Sequence, residues 1–148
     1  MKTIRILLAD DHTVVRKGLR LLLESQPGFR VVADAANGRE TVAFAEEHHP
    51  DVVVIDVAMP ILNVIEAARQ ITAKLPQTAI VFLSMHSDEG YVLKALKAGA
   101  RAYLLKDSAE QDLINAVQAV TEGKAFFSPA ISKMLVEDYM RQMQERQV

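Results

Sequence analysis

Five short apolar runs recur along the chain, and each is followed by a stretch with apolar residues at helical spacing. The runs are continuously apolar rather than alternating, which is typical of strands covered by helices on both faces. Strands that alternate with helices form a parallel sheet with right-handed crossovers. The pattern therefore predicts an α/β fold with a five-stranded parallel sheet. The predicted strands are Ile4–Ala9, Val31–Ala33, Val52–Ile55, Ala79–Leu83 and Ala102–Leu105.

The segments between the strands carry helix-ending signals such as Pro27-Gly28 and Gly99. Ser128-Pro129 resembles an N-cap followed by proline at the first helical position, which predicts a sixth helix. We therefore expect one domain over residues 1–125 and a C-terminal linker helix within residues 126–148. The predicted helices are His12–Glu24, Arg39–Glu47, Glu66–Leu75, Asp88–Ala98, Ala109–Thr121 and Ala130–Gln147.

Composition narrows the class of protein. The 148 residues fit one domain with an appendage, and a net charge of -2 gives no argument for a bulk nucleic-acid binder. The chain has no cysteine, which excludes disulfides and thiolate metal sites and fits a reducing cytoplasm. No stretch approaches the roughly 20 apolar residues that span a membrane. We expect a cytoplasmic protein with no membrane partner.

Polar side chains follow four of the predicted strands: Asp10 and Asp11, then Asp56, Ser84 and Lys106. The carboxyl ends of parallel strands meet at one edge, where ligands bind. Clustered carboxylates repel one another unless a cation such as Mg²⁺ neutralises them, and a carboxylate can also accept a phosphoryl group. Taken singly, the aspartates could be helix caps and the serine and lysine carry no signal. Their joint position favours a shared phosphoryl-transfer site.

The chain resembles the receiver domains of two-component response regulators, most closely the NarL/FixJ (LuxR-type) subfamily. The resemblance covers about residues 3 to 130 and implies the flavodoxin-like, CheY-like fold. The stretches that carry it are Ile6–His12, Asp51–Pro60 and Ala98–Asp107.

The resemblance implies a phosphoacceptor and a metal site. Asp56 takes the phosphoryl group from a sensor histidine kinase. Magnesium is held by Asp11 directly, by Asp10 through water, by Asp56 and by the backbone carbonyl of Ala58.

The resemblance also implies a switch. Ser84 turns toward the phosphoryl group, Lys106 pairs with one of its oxygens, and Tyr103 is the aromatic rotamer switch. The alternative for Tyr103 is a half-buried strand aromatic. The surface formed by the fourth helix, fifth strand and fifth helix then changes shape.

The sequence departs from the family pattern at several positions. Asp107 stands where many receivers have a cis proline, so we expect a trans peptide. Ile61 and Val64 stand where the family usually has glycine, so either the backbone differs there or it is strained, because β-branched residues rarely adopt φ > 0. The resemblance implies that His86 and Ala58 tune dephosphorylation. The alternative for His86 is a solvated loop histidine.

Proteins of this subfamily usually continue into a DNA-binding helix-turn-helix domain, whereas this sequence stops at Val148. We interpret the chain as a receiver, not an enzyme, that reaches DNA only through an output domain absent from it, with a homodimer possible. A stand-alone receiver and an inert pseudo-receiver that serves as an interaction module stay open. An aspartyl-phosphate hydrolase is disfavoured because no general base or cap domain is evident. A flavin-binding protein is disfavoured because Asp10-Asp11 would repel phosphate.

Overall fold

A computed structural model of the protein describes residues 3–56, 61–84, 89–106 and 110–146. Strands and helices alternate along the whole of the described chain. The strands are β1 (Ile4–Ala9), β2 (Phe29–Ala35), β3 (Val52–Asp56), β4 (Ala79–Ser84), β5 (Ala100–Leu105) and β6 (Phe126–Phe127). The helices are α1 (Thr13–Glu24), α2 (Gly38–His48), α3 (Ile61–Lys74), α4 (Glu89–Lys97), α5 (Glu110–Thr121) and α6 (Pro129–Arg146).

All strands are parallel and lie in the order β2-β1-β3-β4-β5-β6. The chain order reverses between β1 and β3, because β2 lies outside β1 and all later strands lie on the other side of it. A reversal of this kind opens a crevice at the carboxyl ends of the two strands, which is where open α/β sheets bind their ligands. Asp10 and Asp56 lie at this crevice.

The apolar strands bury side chains on both faces of the sheet. In β1, Leu7 belongs to the core that contacts α2, α3 and α4, whereas its neighbour Leu8 belongs to the core that contacts α1 and α5. Val53 and Val54 of β3 divide between the two cores in the same way. The predicted α/β fold with helices on both faces is confirmed.

The sheet has a sixth strand that the sequence did not reveal. Phe126 pairs with Ala102 and Phe127 pairs with Tyr103, so β6 extends the sheet beyond β5. A two-residue strand is too short to show a period, which is why the five-strand count needs this correction. The division into residues 1–125 and 126–148 stays a prediction.

The two positions where the family favours glycine lie in α3. Val64 is fully buried inside this helix, and His49 is the only described non-glycine residue with a positive φ. Of the two alternatives for Ile61 and Val64, strain at a positive φ is therefore excluded, because both residues have helical backbones. An altered loop before α3 would involve residues 57–60, which lie outside the described residues, as do His86 and the expected trans peptide at Asp107. Within the described residues, no helix has the length and apolar character needed to span a membrane.

Candidate functional site

The structure brings the predicted polar residues to one edge of the sheet. Asp56 and Ser84 are the last residues of β3 and β4, while Asp10 and Lys106 directly follow β1 and β5. The register explains their proximity, since Asp56 pairs with the residue before Ser84, and Ser84 pairs with the residue before Lys106. Ala58, the expected carbonyl ligand, lies outside the described residues.

Asp56 and Lys106 form an ion pair at the centre of the site. Lys106 Nζ lies 2.5 Å from Asp56 Oδ1, and Asp56 is fully buried while Lys106 is about a quarter exposed. The backbone N–H of Lys106 donates to the carbonyl of Ser84 at 2.8 Å. Ser84 and Lys106, the two residues expected to contact a phosphoryl group, are therefore joined by a backbone hydrogen bond of the β4–β5 ladder.

Asp10 is held rigidly beside this pair. Its N–H donates to Ala35 O at 3.0 Å, its carbonyl accepts from Arg16 Nη1 at 2.7 Å, and its Oδ1 accepts from the N–H of His12 at 2.8 Å. Its Oδ2 is buried, and no donor among the described residues reaches that atom. Burial, and then the adjacent Asp56 carboxyl, raise the pKa of Asp10 to about 6. Among the described residues, the buried carboxyls of Asp10 and Asp56 thus have one ammonium beside them, that of Lys106.

Asp11 and His12 form the exposed rim of the site. His12 Nδ1 lies 3.0 Å from Asp11 Oδ1 and 3.8 Å from Asp10 Oδ1. Ligand atoms of Asp10, Asp11 and His12 all lie within 4.8 Å of one another. The sequence reasoning did not include His12 among the site residues, although its position directly after the aspartate pair was a usable signal.

The donor atoms suit a hard cation. Asp10 Oδ2 is a buried oxygen that no donor among the described residues reaches, and the Asp11 and Asp56 carboxylates lie at the same strand ends. Carboxylate oxygens with access to water are the ligands that Mg²⁺ prefers. The acidic pocket therefore fits the ion that was expected there.

Tyr103 is buried rather than half-buried, with 1% of its surface exposed. Its ring lies 6.2 Å from the ring of Phe82 and belongs to the core beneath α4. The expected half-buried alternative is therefore wrong for its burial, whereas the proposed rotamer switch stays a prediction.

Comparison with known proteins identifies the family of the chain. Residues 6–118 match the model of the response regulator receiver domain. The chain is 39% identical over 142 residues to the transcriptional regulatory protein DegU of Brevibacillus brevis, covering 96% of this chain and 60% of that protein. It is 38% identical over 145 residues to the oxygen regulatory protein NreC of Staphylococcus epidermidis, covering 97% and 66%.

Solved structures of response regulators also resemble the chain. A LuxR-family two-component response regulator from Aurantimonas sp. SI85-9A1 superimposes with a TM-score of 0.87 at 38% identity, covering 94% of this chain and 99% of that one. The receiver domain of the regulator NarL of Mycobacterium tuberculosis gives 0.78 at 28% identity, covering 84% and 100%. The chain spans about 60% to 66% of the length of the curated relatives above. The chain therefore belongs to the response regulator receiver domain family, the signalling modules of two-component systems, and its relatives are regulators of the NarL/DegU type.

Proposed function

We propose that Asp56 is the phosphoacceptor of this receiver. The observation that supports it most directly is the buried Asp56 carboxylate in contact with Lys106 and next to Asp10. A carboxylate becomes an effective nucleophile for phosphorus when it is positioned and when the charge on the transferred oxygens is neutralised. Asp10 is less suited to this role, because the ammonium of Lys106 pairs with Asp56 rather than with Asp10.

The transfer forms one bond and breaks one bond. An Asp56 oxygen attacks the phosphorus of the donor, and the bond from phosphorus to the donor's leaving atom breaks with its electron pair. An acyl phosphate on Asp56 results. Lys106 remains close enough to pair with a phosphoryl oxygen.

Asp10, Asp11 and Asp56, together with the carbonyl of Ala58, are the proposed holders of Mg²⁺. The bound ion would neutralise charge on the phosphoryl oxygens. Two observations on the described residues support this assignment: no donor among them reaches Asp10 Oδ2, and Lys106 is the one ammonium beside the two buried carboxyls.

The switch would start from Ser84 and Lys106. Phosphorylation adds roughly 1.5 to 2 negative charges and three strong acceptors. The hydroxyl of Ser84 and the ammonium of Lys106 would turn toward them, and Tyr103 would respond in the core beneath α4. The surface formed by α4, β5 and α5 would then change, as in other switches driven by a local charge.

The partners follow from the family and from the names of the relatives. A sensor histidine kinase would supply the phosphoryl group in the cytoplasm. DegU is a transcriptional regulatory protein and NreC is an oxygen regulatory protein. We propose that this receiver, which is not itself an enzyme, controls transcription through an output domain, with a homodimer as a possible active form. In this proposal residues 1–125 are the receiver and residues 126–148 are the linker.

Intact-mass measurement tests the proposal. The protein is incubated with Mg²⁺ and a small acyl phosphate, alongside Asp56→Asn and the control Asp112→Asn, an acidic residue in the first turn of α5. We expect a gain of one phosphoryl group in wild type and control only. Uptake by Asp56→Asn would contradict the assignment. Absence of both uptake and Mg²⁺ binding in wild type would favour the pseudo-receiver.

A further inference from the structure

Ser128 occupies the junction between β6 and α6 and is 4% exposed. Its N–H donates to Tyr103 O at 3.3 Å, and its hydroxyl accepts from the N–H of Leu105 at 3.2 Å. Its carbonyl accepts from the N–H of Ser132 at 2.9 Å, which is the first hydrogen bond of α6. The hydroxyl therefore adds one rung to the β5–β6 ladder, while the carbonyl already belongs to the helix.

This extra rung lies next to the proposed phosphorylation site. Leu105 directly precedes Lys106, whose own N–H donates to Ser84 O on the opposite side of β5. The end of β5 is thus held by β4 on one side and by Ser128 on the other. The direction in which the Lys106 side chain leaves the backbone depends on both contacts.

The helix that begins after Ser128 is anchored in the same core. Ile131 of α6 is fully buried in the cluster that contains Tyr103, and Leu105 and Phe127 pack against that cluster. A displacement of α6 would therefore pull on Ser128 and on the end of β5. Coupling between two sites is reciprocal, so a change at the phosphorylation site would also act on α6.

We propose that Ser128 is a positioning residue for Lys106 and that it couples α6 to the phosphorylation site. The inference rests on the proposed function of Asp56. It assigns the hydroxyl of Ser128 to the alignment of Lys106.

Three variants separate this role from general loss of α6 packing. Ser128→Ala removes the acceptor, Ser128→Thr keeps a hydroxyl, and Ser132→Ala removes a hydroxyl on the same helix that contacts Phe127 O rather than β5. The initial rate of phosphorylation by a small acyl phosphate in Mg²⁺ is measured by intact mass. We expect Ser128→Ala to be about 5- to 10-fold slower, because small misplacement of a catalytic group is costly. The other two should stay close to wild type.

Amide hydrogen exchange gives a second readout that needs no phosphorylation. In the metal-free protein, the N–H of Leu105 should exchange about 5- to 10-fold faster in Ser128→Ala only, since one hydrogen bond is lost. A wild-type phosphorylation rate in Ser128→Ala would overturn the positioning role, as would an equal loss of rate in Ser132→Ala. If wild type takes up no phosphate, the proposed function of Asp56 fails. Exchange then tests the anchoring separately, and an unchanged Leu105 amide would overturn it.

Discussion

Replacing Asp10 by Asn should stabilise the metal-free protein. Asn has the same shape, and its carbonyl oxygen can still accept from the N–H of His12, as Asp10 Oδ1 does at 2.8 Å. The amide group would take the place of Asp10 Oδ2, which no described donor reaches, and could donate to the Asp56 carboxylate. The substitution therefore replaces a repulsion between two buried carboxyls with a hydrogen bond.

The size of the effect follows from the pKa of Asp10. It rises from 3.8 to about 6 in the folded protein. A pKa unit corresponds to 1.36 kcal/mol, so ionised Asp10 costs roughly 3 kcal/mol of folding free energy well above pH 6. The folded pKa is the higher one. The stabilising contribution of protonated Asp10 is therefore complete below about pH 4 and is lost as the pH rises through 6.

Urea unfolding in the presence of a chelator measures the difference. At pH 8 we expect Asp10→Asn to be more stable than wild type by about 2 to 3 kcal/mol. Near pH 4.5 most of this advantage should disappear. Asp11→Asn is the matched control, because the Asp11 side chain is 35% exposed and its replacement should change stability by less than about 0.5 kcal/mol. A destabilised Asp10→Asn at pH 8, or an advantage that does not depend on pH, would refute the reasoning.

Three further predictions are tested by unfolding in urea. Gly99→Ala should lower the free energy of unfolding by about 2 to 3 kcal/mol, because φ at Gly99 is +108 and the new Cβ would lie 2.4 Å from Thr72 Oγ1. Gly18→Ala, in open space on α1, should raise it by about 0.5 to 1 kcal/mol. Ile131→Ala should lower the free energy of unfolding by about 3 kcal/mol, because it leaves a cavity beneath α6. A decrease under about 1 kcal/mol would mean that α6 is not anchored there. Lys106→Met, measured with a chelator, should lower the free energy of unfolding by about 2 to 4 kcal/mol, because it removes the ammonium that pairs with the buried Asp56 carboxylate. An unchanged stability would contradict the ion pair.

The fold could be predicted because its signals are local. The runs Ile6–Ala9 of β1, Val52–Ile55 of β3 and Ala79–Leu83 of β4 are apolar throughout, since helices cover both faces of these strands. The edge strand β2 was predicted too short. It extends over Phe29–Ala35 and includes Arg30 and Asp34, because an edge strand tolerates exposed polar side chains that interrupt an apolar run.

The start of α3 was predicted five residues too late. The predicted helix began at Glu66 because the helical spacing of apolar residues was traced from Ala67, whereas the helix itself begins at Ile61. Val64 takes a helical conformation and buries its side chain.

The candidate site was predictable only in part. Residues at strand ends converge in any parallel sheet, so Asp10, Asp56, Ser84 and Lys106 could be brought together from the sequence alone. Ser128 could not, because its contact with Leu105 depends on a two-residue strand that packs against the sheet edge from 23 residues away. A tertiary contact of this kind leaves no period or motif in the sequence.

The charges of the pocket connect phosphorylation with cation binding. In the resting domain the carboxyls of Asp10 and Asp56 lie beside the ammonium of Lys106, and burial, followed by the Asp56 carboxyl, raises the pKa of Asp10. A phosphoryl group on Asp56 would replace one negative charge with about 1.5 to 2. Lys106 cannot balance this addition, so a divalent cation should bind more tightly to the phosphorylated domain. By reciprocity the same cation would favour the phosphorylated form. The arrangement that costs stability in the metal-free protein is then the one that makes the acceptor site depend on its cation.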